Sequence, residues 1–346
     1  ANATAPRRIV CRMDGAAIGP SPYGGAVLDA TEAILTAERD VCSFKAEADF
    51  SEPTWNLSVD YELSPRNMVY LAHRRGYRAG GFTAQPGNAT AGSLDNPATI
   101  AQRAPYLPEI LDDIEFGTKN EFDIAGMRSR FNLAAYHGWY ADIQRNSQQL
   151  VNNVVTALTV NAAEAAIWGI EADWSLRLHP TLEFGGGYSL TKAEYKDFLN
   201  YYNTGTTAAP VLTPVDVSDA RFGFTPEHQF NASLTWTPTL PGEVGDASVT
   251  LSYYYQSDFS TSDTASSNCG PNGAFPACQN YGVDVDAYEL WNLRADLRDV
   301  AGRQGLDLGL FVTNLLDKEY YAFGTPQLGQ PYGLFSQGVG APRMWG

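Results

Sequence analysis

Side chains that often do chemistry are few in this sequence, and their spacing does not match known sites. Asp112 and Asp113 are adjacent carboxylates, but their position favours a solvated entry to a strand over an acid–base pair. There is no G-x-S-x-G elbow, P-loop or H-E-x-x-H string. Four histidines are scattered without the spacing of metal ligands: His73, His137, His179 and His228. We therefore expect no enzyme active site, no metal and no cofactor.

The composition excludes several classes of protein. The 346 residues include 23 Lys+Arg and 39 Asp+Glu, a net charge of −16, which argues against a nucleic-acid partner. With 44% hydrophobic and 12% aromatic residues the chain has enough apolar surface to fold. No apolar run approaches the roughly 18 residues of a membrane helix. A soluble β-rich protein and a membrane β-barrel remain.

The elements that must position any site are strands, because apolar and polar residues alternate with a period of two. In residues 54–63, for example, Leu57, Val59 and Tyr61 share one face, opposite polar side chains. The same alternation predicts that four charged residues lie on a polar, lumen-facing side: Glu171, Asp173, Arg294 and Asp296. Helical periodicity is nearly absent.

Joining these runs into a meander predicts twelve strands. They lie at about 5–12, 53–63, 68–82, 110–123, 128–141, 163–178, 182–198, 227–236, 248–260, 287–298, 306–318 and 342–346.

The predicted connections alternate between short and long. The short set is 64–67, 124–127, 179–181, 237–247 and 299–305; the long set is 13–52, 83–109, 142–162, 199–226, 261–286 and 319–341. Every second connection of an antiparallel meander lies at the same end, so one rim carries the tight turns and the other carries the long loops. Outer-membrane barrels have short periplasmic turns and long extracellular loops.

A soluble β-sandwich is the alternative fold. Its strands usually have about five or six residues, whereas these reach the length needed to cross a bilayer. The aromatic residues near the ends of the apolar faces would form an interfacial girdle: Trp55, Trp168, Trp174, Trp236, Trp291, Tyr253 and Tyr255. The pattern therefore favours an all-β, antiparallel transmembrane barrel.

The four cysteines all fall at the rim of long loops. Cys11 and Cys42 bracket the loop 13–52, and Cys269 and Cys278 lie within 261–286. The simplest interpretation is two disulfides, Cys11 with Cys42 and Cys269 with Cys278, in an oxidising compartment. Other pairings and four free thiols stay open.

Several strings resemble the β-barrel region of TonB-dependent outer-membrane receptors. They occur in the family's order over most of 50–346, and they are YLAHRRGYRAGGF (70–82), IEFGTKNEF (114–122), RFNLAAYHGWYADIQ (130–144), NAAEAAIWGIEADW (161–174) and VTNLLDKEYY (312–321). The resemblance implies a barrel of about 22 strands in the Gram-negative outer membrane, filled by a plug domain. It also implies import of a scarce nutrient, most often a ferric siderophore, driven by the TonB complex through the plug.

The resemblance implies that the ligand binds to the long loops and the upper part of the lumen. Arg75 and Arg78 could neutralise an anionic ferric chelate. Aromatic side chains could stack on a ligand: Tyr77, Tyr201, Tyr202, Tyr281, Tyr321, Phe323, Tyr332 and Phe335. Packing of the loop aromatics against one another is the competing explanation.

Twelve strands are about half of the family's barrel. We therefore expect residues 1–346 to be a partial barrel region without the plug, the N-terminal strands and the end of the last strand. Further strands of a larger polypeptide, or a partner chain, would close the barrel within the outer-membrane lipid. A barrel without a plug, serving as a cell-surface scaffold, is the alternative function, and a passive porin is a third.

Overall fold

The computed structural model describes residues 26–28, 33–37, 44–82, 105–151, 154–206, 209–264, 283–327 and 334–346. Nearly all regular structure in these residues is β-strand, with one 3-10 turn at Val300–Gly302. The strands are β1 Ala26–Leu28, β2 Ala33–Ala37, β3 Phe44–Glu47, β4 Trp55–Ser64, β5 Asn67–Arg78, β6 Glu109–Ile124, β7 Met127–Val151, β8 Val154–His179, β9 Leu182–Asn203, β10 Leu212–Asp216, β11 His228–Trp236, β12 Asp246–Gln256, β13 Phe259–Ser260, β14 Asp284–Val285, β15 Tyr288–Arg298, β16 Leu308–Thr313, β17 Tyr321–Gln327, β18 Leu334–Val339 and β19 Met344–Trp345.

One antiparallel sheet dominates the fold. Its order is β19-β16-β15-β12-β11-β9-β8-β7-β6-β5-β4, and β10 adds to β9 beyond this path. The order of the strands in this sheet is their order along the chain, as in a meander, and β10, β13, β14, β17 and β18 lie off this path. Among the described strands β4 and β19 form the two edges of the sheet.

The predicted all-β, antiparallel fold is confirmed. Ten predicted strands from 53–63 to 306–318 correspond to β4–β9, β11, β12, β15 and β16, and the stub at 342–346 contains β19. The first predicted strand, 5–12, lies outside the described residues.

Five of the predicted long loops were wrong in part, because they contain strands. β1, β2 and β3 lie within 13–52, and β14 lies within 261–286. The predicted loop 142–162 is the extension of the β7–β8 hairpin, with a bulge between Tyr140 and Ile143. Strand β9 runs on to Asn203 and pairs with β10 inside the predicted loop 199–226. β17 and β18 form a hairpin within 319–341.

The register separates the sheet into two continuous faces. The outer face has an apolar central row: Val59, Leu71, Phe116, Ala135, Ile170 and Leu190. The lumenal face has a row of mostly small or polar residues, with one tyrosine near each end of the row. The row is Asp60, Tyr70, Gly117, Ala134, Glu171, Ser189, Gln229, Gln256 and Tyr288. Successive side chains of a strand point to opposite faces.

Large apolar side chains of the outer face stay uncovered in the structure. Val59 is 72% exposed and Leu310 is 70% exposed, which suits contact with lipid better than contact with water. The apolar side chains of the outer face together form what we call the apolar band. Trp139 and Trp168 lie towards one end of this band, and Trp174 and Trp236 lie towards the other. No helix among the described residues is long and apolar enough to cross a membrane.

The short connections form one end of the sheet, here called the short-turn rim. Ala125 and Gly126 both have positive φ, 49° and 78°, in the two-residue β6–β7 turn, as a tight hairpin requires. Ala301 N–H donates to the Val244 carbonyl at 3.2 Å, which joins two of these turns. The opposite end, where β5 ends at Arg78, is called the long-loop rim.

Aromatic rings lie across glycines of neighbouring strands. The Tyr70 ring covers Gly117, and the Tyr136 ring covers Gly169 and places its hydroxyl 3.1 Å from Thr191 Oγ1. A Cβ at either glycine would overlap the ring. Glycine is therefore required at these positions by close packing.

Beyond the apolar band, β7–β10 form a projection that we call the arm. The β7–β8 hairpin supplies one layer, β9 and β10 supply the other, and Ser147 Oγ donates to Asn200 Oδ1 at 2.8 Å between them. Their shared core is Ile143, Ala163, Ala165, Tyr195, Phe198, Tyr202, Val215, Val217 and Ala220. The arm thus has a hydrophobic core of its own.

Two adjacent alanines of β7 test the assignment of the faces. In the full-length protein, Ala135→Arg places a charge on the outer face and is expected to destabilise the folded protein in bilayers by about 2–4 kcal/mol. Ala134→Arg faces Glu171 across the lumenal side and is expected to cost far less. Urea unfolding in lipid vesicles measures both; equal costs would contradict the assignment.

Gly169→Ala should destabilise the protein by about 1–3 kcal/mol, because the added methyl overlaps the Leu190 carbonyl oxygen and the Tyr136 hydroxyl. Gly76→Ala is the matched control, since a Cβ there meets nothing within 4 Å. The same unfolding assay applies. A Gly169 variant as stable as the Gly76 variant would show that the tyrosine packing is not required.

Candidate functional site

The lumenal face forms a polar trough. A cavity of about 350 Å³ lies between Tyr70 on one side and Tyr254 on the other. Its floor carries small and hydrogen-bonding side chains: Glu115, Thr118, Lys119, Asn132, Ala134, Glu171, Asp173, Gly187, Ser189, Gln229 and Asn231. The predicted lumenal position of Glu171 and Asp173 is therefore confirmed, and the trough suits a hydrated, polar occupant.

Several charged side chains of this face form ion pairs, either between neighbouring strands or within one strand. Arg74 donates to Asp113 Oδ1 at 2.8 Å and to Glu115 Oε2 at 2.6 Å, and Tyr70 donates to the other Glu115 oxygen at 2.8 Å. Arg294 pairs with Asp296 at 2.7 Å, on the lumenal side of β15 as predicted. These pairs let the wall be polar while its local charge stays small.

Glu109 is the most constrained carboxylate at the long-loop rim. It is 4% exposed and accepts hydrogen bonds from Tyr140 Oη at 2.5 Å and Gln144 N–H at 2.8 Å, with Arg78 Nε at 3.0 Å. Gln144 in turn donates to the carbonyls of Ala79 and Leu107. We call this network the Glu109 clamp; it joins the ends of β5 and β6 to the start of the arm.

Further contacts connect the arm to the other side of the rim. Arg145 Nε lies 3.2 Å from Asp263 Oδ2, and Arg145 also donates to Tyr195 Oη at 2.9 Å. Thr261 donates to the carbonyls of Val283 and Gly324. The long-loop rim is thus joined by side-chain contacts that cross several connections.

Three tyrosines, which we call the tyrosine triad, meet on the lumenal side of this rim. Tyr254 and Tyr288 have ring centroids 6.2 Å apart, and Tyr288 and Tyr320 have centroids 4.4 Å apart with planes inclined by 32°. Tyr254 Oη donates to Gln256 at 2.8 Å, and Gln256 is opposite Tyr288 in the register. The triad provides an extended aromatic wall beside the trough.

The sequence-predicted arginines lie on opposite faces of β5. Arg78 is on the lumenal side, in the Glu109 clamp. Arg75 lies on the outer face with Tyr77; it donates to Asp112 at 3.1 Å, and its guanidinium is 5.2 Å from the centre of the Trp55 ring. The two cations therefore do not converge on one ligand.

The predicted aromatic residues are divided among separate elements. Tyr202 is 8% exposed in the core of the arm, where burial raises the pKa of its hydroxyl, and Tyr201 lies half-buried beside it. Tyr321 and Phe323 are in β17, and the Phe323 ring covers Gly338. Tyr281, Tyr332, Cys11, Cys42, Cys269 and Cys278 lie outside the described residues, as does the side chain of Phe335.

The tyrosine triad was not singled out from the sequence, although the strand pattern contained a signal for two of its members. Tyr253 and Tyr255 share the apolar face with Leu251, so the alternation places Tyr254 on the polar face with Gln256. The same parity on β15 places Tyr288 with Arg294. Tyr320 follows β16, and no periodicity could place it.

Within the described part of the chain, no group of three or more His, Cys, Asp or Glu is arranged to hold a metal ion.

Comparison with known proteins identifies the family. The family model for "TonB dependent receptor-like, beta-barrel" matches residues 34–315. The chain therefore belongs to this family of outer-membrane receptors. No curated protein sequence matches it.

Solved structures with the same fold come from this class of receptor. The ferric yersiniabactin uptake receptor FyuA from Yersinia pestis matches with a TM-score of 0.59 and 16% identity over 88% of this chain and 37% of its own. The siderophore receptor PiuA from Acinetobacter baumannii gives 0.55 and 14% over 90% and 37%, and the FrpB iron transporter from Neisseria meningitidis gives 0.53 and 15% over 90% and 40%. The chain thus spans about two fifths of the length of these receptors.

We expect the Glu109 clamp to stabilise the long-loop rim. In the full-length protein, Glu109→Ala leaves Tyr140 Oη and Gln144 N–H without their buried acceptor and should destabilise the rim by about 1–3 kcal/mol. Increased proteolysis near residues 79–82 and 105–108, together with a lower urea midpoint, would show this loss.

Glu194→Gln serves as the control, because it breaks the exposed pair with Lys196, and such pairs contribute little. If both variants resist protease and urea equally, the clamp does not stabilise the rim.

Proposed function

We propose that this chain forms part of the wall of a TonB-dependent importer that takes up a ferric siderophore or another scarce iron complex. The observation that carries the proposal is the two-faced sheet: an apolar outer face and a lumenal face of paired charges and small polar residues. The names of the similar solved structures, an uptake receptor, a siderophore receptor and an iron transporter, support the iron cargo.

The proposal includes closure of the sheet into a barrel. Unpaired backbone groups at the edges β4 and β19 would each cost several kcal/mol in hydrocarbon. Further strands, from the same polypeptide or from a partner chain, would supply the missing hydrogen bonds. In the family's barrel of about 22 strands the described sheet would be roughly half of the wall.

The lumenal trough would face a plug domain, which couples the receptor to the TonB complex. A polar, internally paired wall can contact a protein surface that moves, because its charges do not depend on the plug for neutralisation. The long-loop rim, with the arm and the tyrosine triad, would then lie outside the cell and receive the ligand, and the short-turn rim would face the periplasm.

Uptake of radiolabelled iron by cells that produce the full-length receptor tests this function. We expect accumulation from a panel of ferric siderophores in cells with an intact TonB complex, and loss of accumulation in matched cells without TonB. Surface binding of the chelate at low temperature should be the same in both strains.

Two results would contradict the importer. Accumulation that does not need TonB, together with ion conductance in planar bilayers, would indicate a passive pore. Absence of accumulation and of binding, with a surface partner captured instead, would indicate the scaffold.

A further inference from the structure

The charge of the long-loop rim restricts the ligand. Each arginine that the structure describes there has a carboxylate oxygen within 4.0 Å. The pairs are Arg75–Asp112 at 3.1 Å, Arg78–Glu109 at 3.0 Å, Arg145–Asp263 at 3.2 Å, Arg221–Asp258 at 2.9 Å and Arg343–Asp317 at 3.4 Å. An anionic ligand that approaches one of these guanidinium groups therefore also meets a carboxylate, which opposes its binding.

The lysines add little positive charge. Lys192 pairs with Glu227 at 3.1 Å and Lys196 pairs with Glu194 at 3.2 Å. Lys318 is in no ion pair of the described residues, and Glu319 follows it in the sequence. The basic groups that the structure describes at the rim are therefore largely neutralised by neighbouring carboxylates.

Carboxylates outnumber basic side chains in the connections beside the triad. Residues 192–228 contain five Asp or Glu and three Lys or Arg, and residues 256–290 contain five Asp or Glu and no Lys or Arg. Such a rim repels multiply charged anions and attracts or tolerates neutral and cationic solutes.

The tyrosine triad supplies the attractive part of the site. Its rings come from β12, β15 and the segment after β16, so their spacing depends on the sheet. Among the described residues, no hydrogen bond engages the hydroxyls of Tyr288 and Tyr320, which leaves both able to donate to ligand oxygens. A group of tilted aromatic rings with two available hydroxyls suits a ligand with flat or C–H-rich surfaces and polar edges.

We infer, on the basis of the import function proposed above, that the cargo is an uncharged or cationic iron chelate and that Tyr254, Tyr288 and Tyr320 contact it. A ferric tris-hydroxamate, whose core is uncharged, fits this class. A ferric tris-catecholate, whose core is trianionic, does not.

Binding of these two probes to the purified full-length receptor, in detergent at low ionic strength, tests the charge class. We expect the tris-hydroxamate to bind at least about tenfold more tightly than the tris-catecholate, a difference that salt should reduce. Equal affinity, or tighter binding of the tris-catecholate, would overturn the inference.

Variants of the triad test the contact. Tyr288→Ala and Tyr320→Ala should each weaken tris-hydroxamate binding about tenfold or more, and Tyr288→Phe should keep the stacking and lose only the hydroxyl contribution. Tyr253→Ala is the matched control, because Tyr253 is adjacent in β12 but lies on the outer face against Trp291. Unchanged affinity in both triad variants would remove the triad from the site.

Removal of one carboxylate tests electrostatic repulsion of the ligand separately from its contact with the tyrosine rings. Asp258→Asn frees Arg221 from its ion pair, so binding of the tris-catecholate should increase several-fold while binding of the tris-hydroxamate stays the same. No increase would contradict the electrostatic argument.

Uptake distinguishes this inference from the import function. TonB-dependent uptake of the tris-catecholate alone would leave the importer in place and overturn the charge class. TonB-dependent uptake of other iron complexes but of neither probe would overturn this inference alone. Absence of TonB-dependent uptake for every iron complex of the panel would overturn the iron-import proposal, and this inference with it.

Discussion

The structure depends on one constraint: a backbone that crosses a membrane must satisfy its N–H and C=O groups within the protein, because hydrocarbon offers no partners. The long antiparallel ladders from β4 to β16 meet this demand across the sheet. Once the ladders are set, alternation assigns every second side chain to lipid and the others to the lumen. The turn at Ala125 and Gly126 and the close packing of Tyr136 over Gly169 follow from keeping neighbouring strands in this register.

Neutralisation of charge within the wall is the second organising feature. Arg74 with Asp113 and Glu115 on the lumenal face, and Arg75 with Asp112 near Trp55 on the outer face, show the same arrangement on both sides of the sheet. A barrel wall built this way can stay polar inside without attracting ions strongly. At the long-loop rim the same pairing leaves an excess of carboxylates, which is why the proposed ligand is selected by charge as well as by aromatic contact.

The arm shows how a barrel wall can be extended without a separate domain. Strands β7, β8 and β9 continue beyond the apolar band, bend at the bulge near Asp142, and enclose a core around Phe198 and Ile143, both fully buried. The Glu109 clamp holds the base of the arm, and the Arg145–Asp263 pair joins it to the opposite connections. The long-loop rim therefore has a framework of side-chain contacts.

The sequence by itself determined ten strands of the main sheet over 53–318, their two faces and the end of the sheet that carries the short turns, because a period of two is a local property of neighbouring residues. The strings shared with the receptor family determined the class. Only the tertiary structure decided that 142–162 extends a hairpin, that Arg78 meets Glu109 and Gln144, and that Tyr254, Tyr288 and Tyr320 meet. Residues 142–162 lack the clear apolar alternation of a strand that faces lipid, since their partner surface is the arm's own core. The triad joins three segments far apart in the chain, and their proximity follows from sheet order and register, which no local pattern contains.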